Sequence, residues 1–390
     1  MRYLFSLILA AATLAPASAQ YIFDSRLLDN VAEALKAGDE RAAAAVSRVE
    51  AAAEKLLTME PLTVTAKSML PPSNDSRDYM TLSPYWWPDP EQPDGLPYIR
   101  RDGERNPEVY DYPERENGDR LGEYTRTLAV LYRLTGDERY AAKCAELLRT
   151  WFLDPEKGMN PNMTYSQLIR GRAIIRGTGI IDARRMCYAL NSAQLIASSP
   201  AWSEADAAAL REWSAAFLYW LEHSVNGLKE LHAPNNHGLW YDAVRVMTAR
   251  AAGLDGRVRE IAEESFMPRF AKQVAEDGSL PEELARTLSL HYSTFALEAF
   301  SIVRNVTLAS GIDIWTMPEA QRAVEYLLPY YENPSAWPHT QIKPFETPRA
   351  AVLLREAGTA VGRAEWVEAA HRIGFRDGKS SYMTLLHFDL

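Results

Sequence analysis

Apolar positions recur every three or four residues along most of the chain, in alanine-rich stretches, and strand-like alternation is scarce. Residues 27–58 carry this pattern with a break near Gly38–Asp39. Residues 121–134 and 137–152 form a pair split by Gly136, with Asp137 placed to cap the second member. The same spacing predicts helices over 183–198, 203–225, 238–252, 256–275, 282–309, 319–330, 346–357 and 363–374. Short turns such as TGDER and AAGLDGR join several of them, as in helical hairpins packed side by side. Residues 61–118 break the pattern. They hold 10 prolines and many aromatics, including SPYWWPDP, and are too long for a routine connector. This segment is expected to fold onto the helical body as a long functional loop.

Composition adds bounds rather than detail. With 390 residues, 47% apolar and 24% charged, the chain has ordinary globular usage and enough length for one large core. Residues 1–19 read as a secretory leader: Arg2, then LFSLILAAATLA, then small residues at Ala17 and Ala19. The apolar run breaks at Pro16, short of the about 20 residues that a membrane span needs. Cleavage near Ala19, a periplasmic or secreted location without a membrane anchor, and one domain over residues 20–390 are the expectations. The 42 basic residues against 52 acidic ones, a formal charge of −10, argue against a nucleic-acid partner. Cys144 and Cys187 both fall in apolar helical stretches; two buried thiols and an export-permitted disulfide are both open.

Two segments concentrate polar chemistry. In HAPNNHGLWYD, Pro234 discourages helix before Asn235, so Asn235, Asn236 and His237 lie at a helix start with amide and imidazole groups together. A structural role fits too, with Asn235 as a cap and His237 as a bridge to a neighbour. In DGSLPEELARTLSLHYS, Pro281 opens a helix with Glu282 and Glu283 in its first turn. Arg286 and Tyr292 are six residues apart and do not share a face of a regular helix. Bringing them together requires a break in the helix or a partner between the faces. His291 points away from Tyr292 on a regular helix, towards a supporting or core position.

The NNHGLWYD segment, the DGSLPEELARTLSLHYS segment and GTGIID at 177–182, in that family's order and with SPYWWPDP before them, resemble the alginate-lyase superfamily of polysaccharide lyases. The resemblance implies an all-α (α/α) toroid and β-elimination on uronate polymers, an acidic polysaccharide partner, and Asn236, His237, Arg286 and Tyr292 as the catalytic set. Only some 90 residues, mostly of helical pattern, follow residue 300, so single-domain alginate and glucuronan lyases are expected to be the better comparison.

Those residue types suit the reaction. H5 of a uronate is poorly acidic because the adjacent carboxylate disfavours a carbanion; donors such as Asn236, His237 and Arg286 offset that charge. A tyrosine with an ordinary pKa of about 10 serves as base only if cations lower it, which Arg286 near Tyr292 is expected to do. In mannuronate and glucuronate, H5 and the C4 oxygen share a side, so one tyrosine can serve as base and acid. In guluronate they lie on opposite sides, which suits His237 as base and Tyr292 as acid. Mannuronate-rich alginate is the first expectation and glucuronan the alternative.

Tyr85, Trp86 and Trp87 suit sugar faces or core burial, and Arg100, Arg101 and Arg105 suit substrate carboxylates or solvated surface. Gln167, Arg170 and Arg176 precede GTGIID in a segment that resembles the family's cleft lining. Trp240, Tyr241 and Asp242 are expected to support the site, and His339 is a further candidate. No metal motif is evident, and the chemistry needs no cofactor. A hydrolase would instead use paired carboxylates, for which Asp182, Asp242, Glu282 and Glu283 are candidates. A noncatalytic carbohydrate-binding helical domain is the remaining competitor.

Overall fold

The computed structural model describes residues 22–172, 175–375 and 380–390, so the leader expectation for residues 1–19 lies outside the described residues. The fold is largely all-α, in the manner of an (α/α) toroid. Five helices, Glu114–Thr135, Ala183–Leu195, Asn236–Ala251, Ser289–Thr307 and Pro348–Val361, pack each against the next as an inner wall. Glu138–Leu148, Glu204–His223, Pro318–Glu332 and Ala364–Ile373 pack behind them. Ser25–Lys36 and Tyr382–Leu386 both lie against Glu114–Thr135. The described strands are short: Met80–Leu82 runs parallel to Tyr165–Leu168, and Trp86–Trp87 antiparallel to Ile99–Arg100.

Local chemistry explains the punctuation. The Asp39 carboxylate accepts from the Arg41 and Ala42 N–H groups at 2.8 and 3.2 Å, starting Glu40–Leu57 where the sequence pattern breaks. Gly136 sits at φ 70° and ends Glu114–Thr135, and Asp137 caps the following helix. The apolar faces then merge into one core running from Ile22 to Leu386, in which Trp151, Trp240, Trp315 and Trp366 are fully buried. Cys144 and Cys187 are separate buried thiols within it, and burial raises both above the ordinary thiol range. Among the described residues, no helix is long and apolar enough to cross a membrane.

Three boundaries differ from the sequence expectation. The helix expected over 121–134 already begins at Glu114, because Pro113 sets its entry and Glu114 and Glu116 favour its first turn, a start hidden by the polar run ERENGD. The stretch 203–225 ends at His223; Ser224 turns extended and caps a further helix, Val225–Leu231, by accepting from the Gly227 N–H at 3.0 Å. Residues 282–309 divide into Pro281–Leu284 and Ser289–Thr307. Between them Leu288 pairs with Gln341, the Ser289 N–H donates to the Thr340 carbonyl at 3.0 Å, and the Leu290 N–H donates to Gln341 Oε1 at 3.1 Å. A distant segment thus satisfies donors that a local cap would otherwise serve.

Candidate active site

The inner wall and the 61–118 loop enclose a cavity of about 1520 Å³. Its lining follows the Ser289–Thr307 helix from His291 to Asn305, a depth of about 20 Å at the helical rise. Among the described residues, eleven arginines and six carboxylates line it, although the whole chain is acidic.

The break at residues 285–288 is what joins Arg286 to Tyr292. The Arg286 guanidinium lies 3.8 Å from the Tyr292 ring centroid, and the Tyr292 hydroxyl is 3.0 Å from that of Tyr85. Arg286 also donates to Asp102 at 2.9 and 3.2 Å, and Arg100 donates to the same carboxylate at 2.7 Å. Burial alone would raise the Asp102 carboxyl, but the Arg286 and Arg100 hydrogen bonds outweigh it and hold it at about 2. Gly103, at φ +77°, makes this docking possible: a Cβ there would lie 2.7 Å from Thr287 Oγ1.

Arg286 does act to lower the Tyr292 pKa, but the expectation that it brings the phenol below its ordinary value is corrected. Burial pushes the phenol up and the neighbouring Tyr85 adds to it; Arg286 works the other way and is outweighed. Tyr292 is therefore a phenol in the unliganded site, a proton donor in waiting.

On the facing helix, the Asn235 side chain accepts from the His237 N–H at 3.1 Å and caps Asn236–Ala251. The Asn236 backbone and side-chain amide donate to Glu283 at 2.5 and 2.6 Å, and among the described residues the second side-chain N–H has no acceptor. Burial raises the Glu283 carboxyl despite these bonds. His237 Nδ1 meets Glu230 Oε1 at 2.6 Å, and among the described residues Nε2 has no hydrogen-bond partner. Glu230 escaped sequence reading because it sits seven residues upstream on Val225–Leu231, brought back by the HAPN turn. Gly177 of GTGIID admits that helix, since a Cβ at Gly177 would lie 2.7 Å from the Glu230 nitrogen. Gly177→Ala is expected to destabilise the fold by about 1–3 kcal/mol, measured by denaturant unfolding.

Tyr85, Trp86, Arg100, Arg105, Gln167, Arg176 and Trp240 line the cavity with the four central residues. Trp86 carries Arg172 at 4.7 Å and Arg176 at 5.8 Å from its ring centroid. Gln167, at φ 49°, donates to Asp182 at 2.7 Å, while Arg176 donates to the Gln167 carbonyl at 2.9 Å. Five other candidates stand elsewhere. Tyr241 is buried and donates to the Leu221 carbonyl at 2.8 Å. Trp87 donates to the Glu104 carbonyl and is covered by Arg101 at 5.2 Å. Arg170 reaches Tyr98 and Glu108 within the loop, and His339 pairs with Tyr326 at 3.1 Å.

The family model for alginate lyase matches residues 63–337. The chain belongs to the alginate lyase family. A crystal structure of an alginate lyase from Bacteroides ovatus is 32% identical, with a TM-score of 0.86, over 94% of this chain and 98% of that one. Alginate lyase A1-III from Sphingomonas species A1 is 16% identical with a TM-score of 0.50, over 87% of this chain and 94% of that one. A variant of A1-III complexed with tetrasaccharide, 15% identical over 87% of this chain and 93% of that one, has a TM-score of 0.56. Both A1-III likenesses concern the fold. A search of curated proteins finds no match.

The enzyme is thus a polysaccharide lyase, and three of the four carboxylates considered for hydrolysis are engaged otherwise. Asp182 is buried, accepting from Thr81 and Gln167. Asp242 is buried against Arg245, Arg269 and Ser265. Glu283 binds Asn236, and Glu282 is exposed.

Proposed function

We propose that this lyase cleaves β-1,4-linked uronate polymers, mannuronate-rich alginate first and glucuronan second, with Tyr292 donating its proton to the departing C4 oxygen. The observation that carries this reading is the buried Tyr292 phenol beneath the Arg286 guanidinium, inside an arginine-lined cavity. His237 Nε2 takes H5, while Glu230 on Nδ1 steadies the imidazolium that forms. Arg286 Nη1, which has no protein acceptor among the described residues, and the uncommitted Asn236 N–H meet the substrate carboxylate as charge spreads onto it. A single tyrosine acting as base and acid would have to begin as a phenolate, which burial opposes. The leader pattern of residues 1–19 supports a periplasmic or secreted location for this activity.

A panel of polymannuronate, polyguluronate, glucuronan and a neutral β-1,4-glucan tests the substrate class. The ultraviolet absorbance of the 4,5 double bond is expected to rise fastest with polymannuronate and not at all with the neutral polymer. New reducing ends without that absorbance, on any member, would refute the reading.

A further inference from the structure

In the same cavity as the proton-transfer groups, the inner wall holds cations to which the elimination assigns no part. Arg126, Arg184 and Arg185 all line the same cavity, and none forms an ion pair among the described residues. Arg184 donates to the Ile181 carbonyl at 3.1 Å and faces the Phe295 and Trp240 rings at 5.3 and 5.8 Å. Its near charged neighbours are Arg185 and Arg115, of like sign, and Asp119, which opposes them; burial followed by Arg185 depresses it to about 10, whereas Asp119 holds Arg185 itself up against burial. Arg126 is held between the Tyr188 and Tyr382 rings at 4.1 and 4.0 Å.

On the facing helix, both oxygens of Glu298 are taken by Arg349 at 2.6 Å. Arg349 also reaches His291 Nδ1 at 2.6 Å. A guanidinium only donates, so His291 accepts there and carries its proton on Nε2. Burial, then Arg349, keeps the ring neutral by lowering it to about 4. His291 stacks on the same Phe295 ring that Arg184 faces, with centroids 6.1 Å apart. A fixed neutral donor and a desolvated cation thus flank one aromatic ring. Burying a cation without a counter-ion is destabilising, and such a violation is expected where a ligand brings the missing charge.

We propose that Arg184 and Arg185, with the His291 Nε2–H, bind the carboxylate of a uronate residue adjoining the one that undergoes elimination. This subsite rests on the uronate reading above and extends it along the chain of sugars. The test uses calorimetric binding of a mannuronate tetramer and of monomeric mannuronate to a Tyr292→Phe background, where substrate is not consumed. Adding Arg184→Met is expected to weaken tetramer binding at least tenfold, leave monomer binding unchanged, and leave the thermal midpoint unchanged or higher. Arg185→Gln, at a position that is likewise half-buried, is expected to weaken the tetramer in the same direction. Equal tetramer affinity with and without both substitutions overturns the subsite alone. Failure of the Tyr292→Phe background to bind any uronate overturns the subsite together with the uronate reading.

Discussion

Tyr292→Phe is expected to lower kcat by about 10³-fold while leaving KM nearly unchanged, within the range that positioned proton transfer contributes. The substitution removes one oxygen and keeps the ring beneath Arg286, so packing and the Asp102 network persist. What disappears is the proton for the C4 oxygen. The pH profile gives an independent reading of the same group. Because the Tyr292 pKa is raised, its protonated form is fully present through neutral pH and is lost only when pH passes the raised value far in the alkaline range. Activity that depends on the phenol therefore keeps no alkaline limb from this residue near pH 10. If the phenolate were the working form, the rate would climb about tenfold per pH unit across the alkaline range.

His237→Gln is expected to cost about 10²–10³-fold in kcat, because glutamine preserves polarity and size but accepts no proton at neutral pH. Glu230→Gln keeps a hydrogen-bond acceptor opposite Nδ1 and loses the negative charge that stabilises the imidazolium. A smaller loss, about tenfold in kcat with KM unchanged, is expected there. Steady-state kinetics on one polymer distinguish the two roles. Equal losses for both variants, or a loss confined to KM, would contradict the assignment of His237 as base and Glu230 as its positioning residue.

Much of the fold was legible because periodicity and punctuation agree. Asp39, Gly136 and Asp137 mark helix ends in sequence and in structure alike. The site was legible only in part, and the reason is that its geometry depends on contacts made far along the chain. The Arg286–Tyr292 pair requires the break that residues 340–342 stabilise, and no local signal in DGSLPEELARTLSLHYS reveals that pairing. Glu230 and Asp102 belong to the site through a turn and a loop, so neither has a diagnostic spacing from its partner. Tyr241 misled for the opposite reason: it lies next to Trp240 in sequence but on another face of the helix, where its hydroxyl finds Leu221. The Tyr292 pKa misled because a nearby cation is visible in sequence and desolvation is not. Net charge bounded the chain as a whole and not the site, since an acidic sequence still lines its cavity with more arginines than carboxylates.

The central claim is that the C4–oxygen bond breaks by elimination, without water entering the products. Mass spectrometry of the fragments from a single purified mannuronate oligomer measures this directly. The account predicts two fragments whose masses add up to that of the substrate, one of them carrying the 4,5 double bond, and their disappearance with Tyr292→Phe. Fragments whose masses add up to substrate plus one water would contradict it.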